Sequence, residues 1–173
     1  IYDFTVMTVA GSFTVNNLRF DTNDTTTRTV TIAATSTVTV SSTLTFDNSA
    51  AGAITLNTGA GTASGTIAAL GDITFGDTNG YTGTATLVAS GTANQIFTGN
   101  MTSSTGAMPN FFNINKTGGT LTLAGTIRYA PSLTNSTWKY TAGTIDSSTS
   151  TVVFAVASGL NVKVDGSHTL NNI

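Results

Sequence analysis

Short apolar runs alternate with threonine along most of the chain, and the alternation restarts at nearly regular intervals. Leu44-Thr45-Phe46-Asp47-Asn48 has close counterparts in Leu18-Arg19-Phe20-Asp21-Thr22 and Ile73-Thr74-Phe75-Gly76-Asp77. A period of two puts Leu44 and Phe46 on one side and Thr45 on the other, which predicts a strand with one buried face. Each copy then runs into Asp, Asn, Thr or Gly, residues that favour turns. A second strand is predicted after each copy, at residues 29–32, 53–56 and 84–87, and a third at 37–40, 65–70 and 95–97. Phe112-Asn113-Ile114, followed by Thr120-Leu121-Thr122-Leu123, reads as a fourth, degenerate copy.

Three strands per repeat make one coil. Like strands recur from Leu18 to Leu44 and again from Leu44 to Ile73, two nearly equal steps of the length that marks stacked repeats. The step from Ile73 to Phe112 is longer, which places an insertion between Met101 and Pro109 as a corner loop. The expectation is an all-β fold, a parallel β-solenoid of about six irregular coils, with residues 1–173 as a single unit or as one segment of a longer repeat array or filament. Leu18, Phe20, Leu44, Phe46, Ile73 and Phe75 would point inward as its repeated core. Regular turn spacing also fits the alternative, an antiparallel β-sandwich. Alternating strands at residues 5–9 and 13–15 place structure almost at Ile1, and further strands follow around Tyr129, Trp138, Ile145, Phe154 and Val162.

Composition narrows the classes of function. Threonine fills 38 positions and glycine 18, while charged side chains make up only 8% of the chain and none is glutamate. A hydrophobic content of 39% and a net charge of −2 argue for a folded β protein over disorder. Three lysines and three arginines, scattered singly, do not make a phosphate-binding patch, so nucleic acid is not an expected partner. The longest apolar run, Val152-Val153-Phe154-Ala155-Val156-Ala157, suits a buried strand and is too short for a membrane span. No basic-then-apolar leader is present, and the absence of cysteine removes disulfide and thiolate chemistry.

Phe112-Asn113-Ile114-Asn115-Lys116-Thr117-Gly118-Gly119-Thr120-Leu121-Thr122-Leu123-Ala124-Gly125 and Tyr140-Thr141-Ala142-Gly143-Thr144-Ile145-Asp146 resemble units of bacterial cell-surface repeat proteins of the autotransporter-like or adhesin-like type. The resemblance is fullest over residues 110–173. It implies export, a right-handed parallel β-helix and a stalk, adhesive or fibrous role, with no catalytic residues to carry over.

Candidate chemistry is sparse. Asp21-Thr22-Asn23-Asp24, Asp47-Asn48 and Asp77-Thr78-Asn79 offer oxygen ligands of the kind calcium takes, but Asx residues at turns are common for backbone reasons, and no metal or other cofactor is expected. His168 is the single imidazole, and a strand-end polar role is expected for it. Isolated basic residues and eight Asp without Glu do not point to an enzyme. Trp138-Lys139-Tyr140 with Tyr129 would suit a sugar-stacking platform, and surface polysaccharide is accordingly a second candidate partner, although core packing is the expectation for these rings. A carbohydrate-binding or polysaccharide-degrading β-helix is therefore the rival class. The Thr-x-Thr pairs 29/31, 37/39, 43/45, 84/86 and 120/122 raise ice binding as a minor alternative, weakened because they fall on more than one face. The sequons at Asn23, Asn100, Asn115 and Asn135 are no more than this composition supplies by chance.

The reading that gathers these features is an extracellular structural protein. It would be a subunit or module of a cell-surface filament or adhesin, joined head-to-tail to copies of itself through open strand edges. Gly166-Ser167-His168-Thr169-Leu170-Asn171-Asn172-Ile173, at the far end, repeats Gly11-Ser12-Phe13-Thr14-Val15-Asn16-Asn17-Leu18 with identity at Gly, Ser, Thr and both Asn. This match nominates Phe13, Val15 and Leu18 at one end, and Thr169, Leu170 and Ile173 at the other, as the assembly ends.

Overall fold

A computed structural model describes residues 6–22, 24–47, 52–57, 64–76, 81–101 and 108–173. Expectations for the start of the first strand, Asn23, Asn48, Asp77, Thr78, the Asn79-Gly80 turn, the glycine-rich stretch after Asn57 and most of the corner between Met101 and Pro109 lie outside these residues. The strands, in chain order, are β1 (Val6–Val9), β2 (Phe13–Phe20), β3 (Arg28–Ile32), β4 (Thr37–Phe46), β5 (Ile54–Leu56), β6 (Thr66–Ala69), β7 (Ile73–Phe75), β8 (Tyr81–Thr82), β9 (Thr86–Gly91), β10 (Gln95–Asn100), β11 (Phe111–Tyr129), β12 (Ser136–Phe154) and β13 (Val162–Asp165).

Among the described residues every pairing between these strands is parallel, and each strand pairs with one from the coil before or after it. That is a β-solenoid and excludes the antiparallel sandwich. On its first face lie β1, β3, β5 and β8. The second is a ladder from the first half of β2 through β4, β6, β9, β11 and β12 to β13. The third runs from the second half of β2 through β4, β7, β10 and β11 to the later part of β12. Five rungs of the second face, β4, β6, β9, β11 and β12, are paired on both sides, giving about five coils between its outer rungs.

The local chemistry explains the winding. In β4, Val38, Val40, Leu44 and Phe46 are buried while Ser41 and Ser42 between them are exposed, so one strand serves two faces and bends at its serines. Inward side chains form columns along the axis. Leu44 pairs with Ile73, and Phe46 with both Phe20 and Phe75. The Phe20 and Phe46 rings lie 5.2 Å apart and 18° from parallel, and the Phe46 and Phe75 rings 4.2 Å apart and 11° from parallel. Phe97, Phe112 and Trp138 continue this aromatic spine by tilted and edge-on contacts at 5.6, 5.5 and 4.8 Å. The repeat register expected for Leu18, Phe20, Leu44, Phe46, Ile73 and Phe75 is the one observed.

The later repeats are phased differently from the expectation. Residues 84–87 do not stack on 53–56; instead Tyr81–Thr82 does, and Thr86–Gly91 lies on Thr66–Ala69. The corner between β5 and β6 spans 57–65, whereas that between β8 and β9 spans only 83–85, so equal spacing in sequence no longer marks equal position in the coil. The fourth copy of the Leu-x-Phe strand is Phe97-Thr98-Gly99, with Phe97 on Ile73 and Gly99 on Phe75. Phe112 belongs to the second face, between Leu87 and Trp138. The step from Ile73 therefore ends at Phe97, close to the length of the earlier steps, and not at Phe112. Glycine is required at 99, because a Cβ there would sit 2.4 Å from the Thr126 carbonyl oxygen.

Corners are satisfied by buried polar side chains that reach into the next coil. Asn57, 3% exposed and with φ of 63°, donates from Nδ2 to the Ile32 and Ser64 carbonyls at 2.7 and 2.6 Å, and its Oδ1 accepts the Ile32 N–H. Asn110 donates to the Gly83 carbonyl at 2.7 Å and accepts the Ser132 N–H at 2.7 Å. Gln95 Nε2 donates to the Ala69 and Gly71 carbonyls, and its Oε1 accepts from Lys116 Nζ at 2.7 Å. Lys116 also donates to the Ala93 carbonyl at 2.8 Å, and burial lowers the pKa of its amine.

Candidate functional site

The solenoid's two ends are where backbone and core are left open. At one end β1 is paired with β3 alone and β2 with β4 alone, so their outer edges are free among the described residues. The side chains that alternate inward on these strands are Met7, Val9, Phe13, Val15, Leu18 and Phe20. Met7 is 37% and Phe13 46% exposed, Val9, Val15 and Leu18 are half-buried against the core, and Phe20 is buried. This rung shows solvent the underside of the hydrophobic core. No residue of β1 is charged. On β2, Arg19 joins Asp21 and Asp47 at 2.9 Å each, tying the first coil to the second.

At the other end β13 is paired with β12 alone. Its inward residues continue the second-face column, with Val164 on Trp138 and 52% exposed. Beyond β13 the chain crosses to the third face, where the Thr169 carbonyl accepts from Ser147 Oγ at 3.1 Å and Leu170 packs partly buried on the core. It then bridges Asn172 to Thr151, leaving Ile173 83% exposed. Phe13, Val15 and Leu18 thus lie in the first coil, and Thr169, Leu170 and Ile173 in the last. The sequence match between the ends does not, however, make the two coils equivalent. Gly11 and Gly166 share a left-handed backbone, φ 91° and 89°, but Gly11 leads onto the second face through β2 whereas Gly166 leads off it after β13.

His168 covers the end of the aromatic spine. The Trp138 indole N–H donates to its Nε2 at 3.0 Å, and its ring stacks over Trp138 at 6.5 Å and Tyr140 at 5.6 Å. An imidazole that accepts at Nε2 carries its proton on Nδ1; here Nδ1 is buried without a partner. Burial accordingly lowers the His168 pKa. His168 is therefore more than a strand-end polar residue. Its fit over Trp138 was not readable from sequence, because no local pattern reveals that residues 138 and 168 are one coil apart.

The remaining candidate chemistry is taken up by structure. Asp24 is held by Arg28 through paired contacts of 2.7 and 3.0 Å, and that guanidinium, helped by the Thr26 N–H, keeps its carboxyl well below the usual range. Asp21 and Asp47 share Arg19. Among the described residues no group of three or more acidic, histidine or cysteine side chains converges as a metal site. Trp138 and Tyr129 are fully buried, so they are core and not a sugar platform, and burial raises the pKa of the Tyr129 hydroxyl. The Thr-x-Thr pairs 29/31, 37/39 and 43/45 lie on three different faces of one coil. On the second face Thr39 is followed by Ala68 and Val88, so no two-column threonine array runs from coil to coil there. Among the described residues no helix is long and apolar enough to cross a membrane.

No protein-family model, curated protein or solved structure matches this chain. What is established is a β-solenoid built of repeats.

Proposed function

We propose that this chain is an extracellular structural protein, a unit of a cell-surface filament or adhesin that stacks head-to-tail on copies of itself through its open ends. One observation carries the reading: the two ends of a single inward column, Phe13 and Val164, are both about half exposed, at 46% and 52%, while the members between them, Val38, Ile67, Leu87, Phe112 and Trp138, are buried to 3% or less. A strand edge with its core side chains uncovered is a template for another strand. An extracellular, cell-surface setting is supported by the low charge and by the resemblance of residues 110–173 to bacterial surface repeats. A structural rather than enzymatic role is supported by the engagement of the candidate acids with Arg19 and Arg28, and of His168 with Trp138.

Sedimentation velocity over a wide concentration range tests the proposal. The expected result is a series of species growing with concentration, lost when Phe13 and Val164 are both changed to Lys. A single monomeric species at all concentrations would overturn it.

A further inference from the structure

Resting on the stacking reading above, we infer the register of the junction: β13 of one copy pairs in parallel with β2 of the next, Val164 facing Phe13 and Asp165 facing Thr14. The register is read from the second face itself. Its inward column runs Phe13, Val38, Ile67, Leu87, Phe112, Trp138, Val164, and its outward neighbour runs Thr14, Thr39, Ala68, Val88, Asn113, Lys139, Asp165, without a slip from first rung to last. A parallel ladder extended by one rung places the next copy's Phe13 over Val164. A shift of one residue would turn its inward side chains to the outside. This register also differs from the one that the match between residues 11–18 and 166–173 suggests, since residues 13–15 lie on the second face and residues 169–172 on the third.

Two features fit this junction. Phe13 and Val164, the half-exposed ends of the column, cover one another. The charged residues of β13, Lys163 and Asp165, are ion-paired at 3.3 Å and alternate outward, where they would face the hydroxyls of Ser12 and Thr14 and meet no like charge. The partner is a second copy of this chain because its first rung supplies the next member of the column in the right phase.

The chain has no cysteine, so single cysteines report the register directly. Residues facing across a parallel rung are within the Cα separation a disulfide spans, roughly 4.4–6.8 Å. Thr14→Cys and Asp165→Cys proteins, each with the new thiol on the outward face, are mixed, oxidised mildly and resolved without reductant, with Lys163→Cys as the two-residue register control. The expected product is the Thr14→Cys/Asp165→Cys heterodimer, in excess over either homodimer and over the product with Lys163→Cys. Dominant Thr14→Cys homodimers would show that first coils meet first coils, overturning the junction. Assembly by sedimentation with cross-linking through Lys163→Cys, or with no cross-link, would overturn the register and leave stacking standing. Absence of assembly in the unsubstituted protein would remove both.

Discussion

The Phe46 and Phe75 rings lie face to face, 4.2 Å between centres and 11° from parallel, one coil apart and both buried. This contact joins the repeat visible in the sequence to the packing that stabilises the fold. Phe46 also meets Phe20 below and the edge of Tyr81 at 4.9 Å. Truncating it opens a cavity among rings that the stacked backbones prevent from closing. Phe46→Ala is expected to cost ~3–5 kcal/mol, measured by denaturant unfolding. A loss below ~1 kcal/mol would mean that the spine is not a shared core.

His168 makes stability depend on pH in a defined direction. Its folded-state pKa is lowered by burial, and the neutral ring is the one that accepts the Trp138 N–H. The unfolded chain binds this proton more readily, so stability rises with pH wherever the two states differ. The contribution is fully present above the unfolded value of about 6.5 and is lost as pH falls through the lower folded value. Thermal melts followed by Trp138 fluorescence from pH 7.5 to 5 are expected to fall more steeply in the native protein than in His168→Phe. Parallel curves would show that His168 does not titrate against this contact.

Asn57 anchors a corner that the hydrophobic pattern leaves blank. Its amide satisfies both the N–H and the carbonyl of Ile32 and holds Ser64 across the corner. Asn57→Ala leaves these buried groups without a partner, at roughly 1–3 kcal/mol for an unsatisfied group, and puts alanine at φ 63°. Asn57→Leu should be no better, although more apolar, because the loss is of hydrogen bonds. Chemical denaturation of the two variants checks this, and a Leu variant as stable as the native protein would contradict it.

Asp21, Asp24 and Asp47 owe their neutralisation to Arg19 and Arg28. Removal of divalent cations with a chelator is expected to leave the melting temperature unchanged, and Asp21→Asn to lower it by roughly 2–4 °C at most, since exposed ion pairs contribute ~0.2–1 kcal/mol. A large drop on chelation would show that an ion organises these turns.

The strands were legible where a buried period of two was repeated with aromatic residues: Leu18 and Phe20, Leu44 and Phe46, and Ile73 and Phe75 announce both their faces and their stacking. Legibility failed at the corners, whose lengths are set by backbone geometry rather than by apolar spacing. The short corner after Thr82 displaced every later assignment, and Gly99 in the column of Phe46 and Phe75 hid the fourth copy. Buried polar residues such as Lys116 and Gln95 were invisible for a related reason. In the sequence they look like solvent-facing residues, and only the coil's closure brings Nζ to Oε1. At the ends, a resemblance of sequence between residues 11–18 and 166–173 carried a shared glycine conformation, but residues 13–15 lie on the second face and residues 169–172 on the third.

The stacking of copies is the central functional claim, and electron microscopy of the purified chain in negative stain tests it most directly. Stacking predicts unbranched fibres one solenoid wide that lengthen with concentration and shorten to single units when Phe13 and Val164 are both replaced by Lys. Discrete short rods of one length at every concentration, unaffected by that replacement, would contradict it.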